Sequence, residues 1–252
     1  MNFEISEKYK RYTDRLVELT QNFEREGEAF GDQPRNTIKL FKLDRETLNV
    51  KSFKVPNLIN RIAYRYFRKS KARRSFEYAH LLIERGINTP YPIAYFEEKK
   101  VLFGKSFYIS KQLEGVFEYR EMIFEPKFPN RYEILKQFTR FTYQLHEKGI
   151  EFLDHSPGNT LIFYDEAQKK YEFYLVDLNR MKFHKALDYE MRIKNFARLT
   201  PEKNMVYTMS AEYARLIGKD FETVFKDMWA AVQEFFKKRD RKKRLKKMVK
   251  NK

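Results

Sequence analysis

The sequence contains no cysteine, and it has only eight glycines and eight prolines among its 252 residues. The absence of cysteine excludes a disulfide framework and any thiolate metal site, which is typical of a protein from a reducing compartment. No apolar run approaches the ~18 residues that a transmembrane helix needs, and residues 1–16 lack the apolar core of a signal peptide. We therefore expect a cytoplasmic protein with no membrane span.

Acidic residues are few relative to basic ones, with 35 Asp and Glu against 52 Lys and Arg and a formal net charge of +17. Residues 237–252 carry eleven basic residues and one acid, so this tail accounts for +10 of the total. A second basic concentration runs from residue 61 to residue 74. Such charge favours polyanionic partners, namely anionic lipid surfaces, phosphorylated glycolipids or nucleic acid. The alternative for the tail is a solvated end that only aids solubility.

The hydrophobic fraction of 42%, with 17% aromatic residues, is that of a folded chain long enough for one domain or two intimate lobes. Residues 38–43 and 48–55 have the composition of a β-hairpin, and residues 75–85 that of a helix closed by a glycine. A helical apolar stripe follows over residues 130–145. The pattern therefore changes from strand-rich to helix-rich along the chain.

Three polar residues near the middle of the chain point to a specific chemistry. Asp154 and Asn159 flank Ser156-Pro157-Gly158, which cannot continue a helix, and Asp177 directly follows a strand predicted over residues 171–176. Phosphoryl transfer from a nucleotide needs a carboxylate that accepts the proton of the acceptor hydroxyl. It also needs an amide oxygen and a second carboxylate that hold Mg²⁺. A polar turn would explain the first two residues alone, but the addition of Asp177 favours a phosphotransferase.

Two histidines accompany this segment. His146 ends the predicted helix and is interpreted as structural. His155 has two open interpretations, a contact to substrate or an exposed loop histidine.

The motif Leu145-His146-x-x-Gly149-Ile150, followed by Asp154 to Asn159 and Val176-Asp177, resembles the catalytic segment of the protein-kinase-like superfamily. More narrowly, it is similar to the lipopolysaccharide core kinases, the Kdo and heptose kinase family of Gram-negative bacteria. The likeness covers residues 36–196. Two features depart from the superfamily pattern: Phe152 stands where histidine is usual, and Leu178-Asn179 replaces the glycine after the metal-binding aspartate.

This resemblance implies an α+β, bilobal protein-kinase-like fold, with a small β-rich N-lobe containing one key helix and a larger, mainly helical C-lobe. We place the N-lobe at residues 1–111, with a lead-in helix near its start, the C-lobe at 112–236 and the basic tail at 237–252. Residues 112–115 would connect the lobes and meet the adenine ring.

The resemblance also implies nucleotide-binding residues in the N-lobe. Lys51 is the first choice for the lysine that binds the α- and β-phosphates, and Lys54 is the alternative, because strand alternation puts the two on opposite faces. Glu77 would pair with that lysine, whereas Glu84 is disfavoured because it falls at the helix end. No G-x-G-x-x-G motif precedes the hairpin, so Arg35 and backbone N–H groups would bind phosphate in its place.

The function implied by the resemblance is ATP- and Mg²⁺-dependent phosphorylation of a Kdo or heptose hydroxyl in the lipopolysaccharide inner core. Asp154 would be the base, and Asn159 and Asp177 would hold Mg²⁺. The acceptor would be Kdo-lipid A or a heptosylated core, and the basic tail would hold the enzyme on the anionic cytoplasmic face of the inner membrane. A pseudokinase scaffold is the main alternative. A nucleic-acid-binding protein is a weaker one, because no recognition motif accompanies the charge.

Overall fold

The computed structural model describes residues 1–31, 36–99 and 101–250, which form two compact units. The first unit is Met1–Glu114 and the second is Gly115–Lys252. The sequence-based prediction places the boundary between the lobes at residues 111 and 112.

In its described residues, the N-terminal unit contains an antiparallel sheet with the strand order β1-β5-β6-β4-β3-β2. Strands β3 and β4 form the predicted hairpin. The strands are β1 (Asn2–Ile5), β2 (Glu28–Ala29), β3 (Thr37–Leu43), β4 (Glu46–Phe53), β5 (Pro92–Lys99) and β6 (Phe103–Lys111).

Helices cover both faces of this sheet because the strands alternate apolar residues between the two faces. On one face, Leu48 and Val50 of β4 are fully buried in a cluster with residues of α1 (Thr13–Gln21). On the other face, Phe53 packs with Phe76 of α3 (Lys71–Glu84).

A short helix, α2 (Leu58–Tyr66), precedes α3, and both begin at a side-chain cap. The side chain of Asn57 accepts a hydrogen bond from the N–H of Asn60, and that of Ser70 accepts one from the N–H of Arg73.

The C-terminal unit is built around α5 (Arg131–Glu147), whose inner face includes the fully buried Ile134, Leu135 and Phe138. Its apolar positions follow the helical spacing that the sequence shows. The other helices are α4 (Tyr119–Phe124), α6 (Tyr189–Phe196), α7 (Lys203–Ile217) and α8 (Phe221–Lys250).

Two small sheets complete this unit. One has the order β10-β9-β7, and the other pairs β11 with β8. The strands are β7 (Val116–Glu118), β8 (Ile150–Phe152), β9 (Thr160–Asp165), β10 (Lys170–Leu175) and β11 (Met181–Phe183).

The fold class is confirmed as α+β, with a sheet-rich first unit and a helix-rich second one. The start of the chain differs from expectation, because residues assigned only to a lead-in helix also supply β1, which pairs with β5. No helix in the described part of the chain combines the length and the apolar composition that crossing a bilayer requires.

Candidate active site

The Asp154 loop connects β8 to β9 and is closed by its own asparagine. A single helical turn over Pro157–Asn159 ends the loop, and the side-chain amide of Asn159 donates to the backbone carbonyl of Asp154 at 2.8 Å. The Asp154 side chain remains 21% exposed. The proline and glycine of the loop therefore hold a carboxylate in place while leaving it accessible to solvent.

Strand pairing brings Asn159 next to the segment that carries Asp177. Thr160 of β9 lies opposite Leu175 of β10, and the ladder continues one step further, where the N–H of Val176 donates to the carbonyl of Asn159 at 3.0 Å. Within the C-terminal unit, hydrogen bonds thus connect the loop that carries Asp154 and Asn159 to the strand end that precedes Asp177.

Asp177 adopts a backbone conformation that is uncommon for a residue with a side chain. Its φ of 58° lies in the left-handed region, which aspartate and asparagine tolerate better than other non-glycine residues. The side-chain amide of Asn179 donates to Asp177 Oδ1 at 2.8 Å and fixes the carboxylate. Asn179, which departs from the superfamily glycine, therefore orients the carboxylate that the sequence assigns to the metal.

Two arginines face the Asp154 carboxylate. Arg198 Nη1 lies 2.7 Å from Oδ1 and also donates to the carbonyl of Leu153 at 2.8 Å, while Arg180 Nη1 lies 3.7 Å from Oδ2. The Arg198 guanidinium also lies over the ring of Phe235, 5.3 Å from its centroid. These contacts fix the side-chain rotamer of Asp154, with Oδ1 bound closely and Oδ2 more loosely.

His155 is a structural residue, and neither interpretation drawn from the sequence is correct. It is only 1% exposed, and its ring packs 5.3 Å from that of Phe138 and 5.6 Å from that of Phe152. Burial lowers the pKa of His155 to about 4, so the ring is neutral at pH 7. The neutral ring anchors the loop beneath Asp154.

His146 is structural, as expected. It is fully buried, and its Nδ1 forms a 2.7 Å hydrogen bond with the hydroxyl of Tyr213 on α7. Burial lowers its pKa to about 3.

The donor atoms of this segment suit a hard divalent cation. Asn159 and Asp177 offer an amide and a carboxylate oxygen, which are ligand types that Mg²⁺ accepts alongside phosphate oxygens and water. The described residues include no group of three or more His, Cys, Asp or Glu able to hold a metal ion by themselves. A site of this kind therefore fits Mg²⁺ bound together with a nucleotide rather than a closed protein cage.

In the N-terminal unit, Lys51 lies within β4 and Lys54 lies beyond its end. Lys51 is two residues from Phe53 and so shares the sheet face that α3 covers; its Nζ lies 5.5 Å from the Phe53 ring centroid. Lys54 is exposed. The strand thus orients Lys51 more firmly than Lys54.

Glu77 binds two cations that the sequence did not indicate. Its carboxylate accepts hydrogen bonds from Lys69 Nζ at 2.8 Å and from Arg73 Nε at 2.9 Å. Burial alone would raise the pKa of Glu77, but these two bonds hold it below its usual value. Through them Glu77 secures the first turns of α3. Arg35, the remaining phosphate-binding candidate, lies outside the described residues.

Comparison with known families decides the relationship. A model of the lipopolysaccharide kinase (Kdo/WaaP) family matches residues 15–219, which is most of the chain. The chain belongs to this family. Members of the Kdo/WaaP family are phosphotransferases that act on a sugar hydroxyl, and the chain is such an enzyme.

Solved structures were also compared with this Kdo/WaaP family member. A structure described as WaaP in complex with acyl carrier protein matches with a TM-score of 0.63 and 16% identity, covering 96% of this chain and 99% of that one. A crystal structure of WbdD aligns with a TM-score of 0.49 and 14% identity, covering 83% of this chain and 45% of that one. A search among curated proteins returned no match. The match to the WaaP structure confirms the protein-kinase-like fold.

Two site residues leave no signal in the sequence. Arg198 lies 45 positions after Leu153, and Asn195 lies 43 positions after Phe152, yet each donates to the backbone carbonyl of that residue. Neither residue belongs to a recognisable local motif. For Asn179 the one signal is its departure from the usual glycine.

Proposed function

We propose that this Kdo/WaaP family enzyme transfers the γ-phosphoryl group of ATP to a Kdo or heptose hydroxyl of the lipopolysaccharide inner core, with Mg²⁺ as the cofactor. The observation that carries the proposal is the set of hydrogen bonds that connects the loop of Asp154 and Asn159 to the strand end before Asp177. Nucleotide-dependent phosphoryl transfer requires a base and two oxygen ligands for the metal ion, and these connected stretches of chain carry all three.

Asp154 is the base in this proposal. The acceptor oxygen attacks the γ-phosphorus, the bond from that phosphorus to the ADP oxygen breaks, and the hydroxyl proton passes to the Asp154 carboxylate. Arg198 supports this role because it holds Oδ1 at 2.7 Å, so that Oδ2 is the oxygen left for the hydroxyl. Asp154 is the catalytic residue, and Arg198 is a positioning residue.

Asn159 and Asp177 would hold the metal ion, which when bound supplies positive charge to the phosphate oxygens. Lys51 would bind the α- and β-phosphates, and its position inside β4 supports it over Lys54. Arg35, in the segment that replaces a glycine-rich loop, would add a phosphate contact. Glu77 would support the nucleotide site through the start of α3, because Lys69 and Arg73 bind its carboxylate.

The acceptor would be Kdo-lipid A or a heptosylated core, which is a lipid-anchored polyanion. The basic tail at 237–252 would then hold the enzyme peripherally on the anionic cytoplasmic face of the inner membrane, at ~1 kcal/mol for each basic residue near the surface. The charge thus serves a lipid surface and an anionic sugar rather than nucleic acid.

The test is transfer of one phosphate from ATP to each acceptor in the presence of Mg²⁺, read by product mass. Asp154→Asn and Asp177→Asn should each lower the rate by roughly 10²–10⁴-fold, because the general base or a metal ligand is lost. Asparagine suits both positions, since it keeps the side-chain size and tolerates the left-handed backbone of residue 177.

Glu166→Gln, in the exposed turn between β9 and β10, is the matched control and should leave the rate unchanged. Turnover near the normal rate in either aspartate variant would contradict the catalytic role assigned to that aspartate. Nucleotide binding without phosphate transfer to either acceptor would favour the pseudokinase scaffold instead.

A further inference from the structure

The helix α2 presents its apolar side to solvent rather than to the protein. Leu58, Ile62 and Tyr66 form one row at helical spacing, and Ile59 and Phe67 belong to the adjacent row. All five are exposed, from 43% for Ile62 to 82% for Phe67. Five large apolar side chains exposed next to one another mark an interaction surface.

The opposite side of α2 attaches the helix to the N-terminal sheet. Tyr64 is buried, with its ring 5.5 Å from that of Phe103, and Arg61 Nε donates to the carbonyl of Phe103 at 2.8 Å. With Asn57 capping its first turn, α2 is a folded helix held in a fixed orientation. Because α2 packs on the sheet through Tyr64, its apolar rows face solvent.

The chain segment that carries the apolar rows is rich in basic residues. Between Glu46 and Glu77 the sequence has nine lysines and arginines and no acid. Beside the first turn of α2 lies a pocket of about 300 Å³ whose lining includes Lys54, Lys71 and Asn60. A surface of this composition is complementary to anionic phosphate groups.

We propose that α2 is an interfacial helix, which inserts Leu58, Ile59, Ile62, Tyr66 and Phe67 among the acyl chains of an anionic bilayer while the surrounding lysines and arginines bind the lipid phosphates. An apolar row bordered by basic residues is the pattern of helices that lie in the membrane interface. The choice of a bilayer over a protein partner rests on this charge complementarity. It also rests on the proposed function, whose acceptor is anchored in lipid.

Sedimentation of the full-length protein with phosphatidylcholine vesicles, with and without phosphatidylglycerol, tests the surface. The double variant Ile59→Ser, Phe67→Ser should lose about tenfold or more in affinity for the anionic vesicles, because two large side chains no longer enter the bilayer. The matched control is Val101→Ser, Phe124→Ser, which removes two apolar side chains that are 85% and 80% exposed but lie outside α2. This control should bind like the parent.

Fluorescence measures insertion directly. Trp229 is the single tryptophan of the chain, so Trp229→Phe combined with Phe67→Trp places the only indole at the C-terminal end of α2. Lipids brominated in their acyl chains should quench this indole. Absence of quenching, or equal vesicle binding by the α2 variant and its control, would overturn the proposal. Self-association that depends on Ile59 and Phe67, without quenching, would also overturn it and assign the surface to a second copy of the chain.

The same proteins separate this inference from the proposed function. The α2 variant should phosphorylate a deacylated, water-soluble acceptor at the parental rate, whereas Asp154→Asn should bind vesicles normally and show the greatly lowered rate given above. Failure of the parent protein to phosphorylate any acceptor would contradict the proposed function. Quenching of the indole by brominated lipids would still support insertion. Normal catalysis without quenching would sink insertion alone.

Discussion

Single residues decide the geometry of this site, and Gly149 is the clearest case. It has a φ of 68°, and its carbonyl accepts a 2.8 Å hydrogen bond from the N–H of His184, which joins the β8 segment to the chain after β11. A Cβ at residue 149 would lie 2.1 Å from the carbonyl oxygen of His184. The glycine of the Leu-His-x-x-Gly-Ile motif is therefore required by backbone proximity as well as by its positive φ.

Gly149→Ala should lower the free energy of unfolding by roughly 3–5 kcal/mol, because the clash is with backbone and adds to the left-handed strain. Gly218→Ala is the matched control. Gly218 has a φ of 64°, but a Cβ at that position would have no atom within 4 Å, so only about 1–2 kcal/mol should be lost. Denaturant unfolding of both variants measures the difference, and similar losses for the two would contradict the assigned clash.

At the scale of elements, the sequence predicts those features whose signal is local. The alternation in the β3–β4 hairpin, the strand that ends before Asp177 and the apolar stripe of α5 are all set by neighbouring residues, and each element lies within a few positions of its expected place. β1 and β7 escape prediction, because short strands gain their identity from distant partners.

The same difference between local and distant contacts decides which site residues can be predicted from the sequence. Asp154, Asn159 and Asp177 can be nominated from the sequence because a turn and a strand end carry them. The Arg198 contact, by contrast, depends on the chain returning to the loop after α6. Long-range pairings of this kind leave no periodic or spacing signal in a single sequence.

The packing of α5 and the catalytic loop predicts acid sensitivity. His146 and His155 have pKa values lowered by burial to about 3 and about 4, whereas an unfolded histidine titrates near 6.5. The unfolded state therefore binds more protons below pH 6.5, and stability falls as pH falls. Between pH 7.5 and 5.5 we expect a loss of about 1.4 kcal/mol for each histidine.

Denaturant unfolding at the two pH values measures this loss, and His155→Gln should lose about 1.4 kcal/mol less than the parent. His146 and His80, whose pKa values burial also lowers, keep their contributions in the variant. Glu77 and Glu212 have lowered pKa values, so their contributions fade only below about pH 4.5, outside the chosen window. If the free energy of unfolding of His155→Gln fell as much between the two pH values as that of the parent protein, the role given to the burial of His155 would be contradicted.

For the whole molecule, the net charge of +17 is divided unevenly between folded core and tail. The helix α8 packs through Val224, Met228 and Val232, which are buried, while its residues from 237 to 248 are exposed. Residues 237–248 of the tail are therefore the exposed continuation of a packed helix. Their stability comes from the first half of α8, and their charge faces solvent, where it can meet another surface.

Deleting residues 237–252 should weaken binding to anionic vesicles and reduce its dependence on salt, because +10 of charge is lost. The free energy of unfolding should change by less than ~0.5 kcal/mol, since the packed half of α8 remains. Leu245→Ser with Met248→Ser is the control, because it removes two exposed apolar side chains of the tail at constant charge. If that control lost as much affinity as the deletion, the tail would act by apolar contact and not by charge. Equal binding by the deleted and full-length proteins would leave α2 as the membrane-binding element.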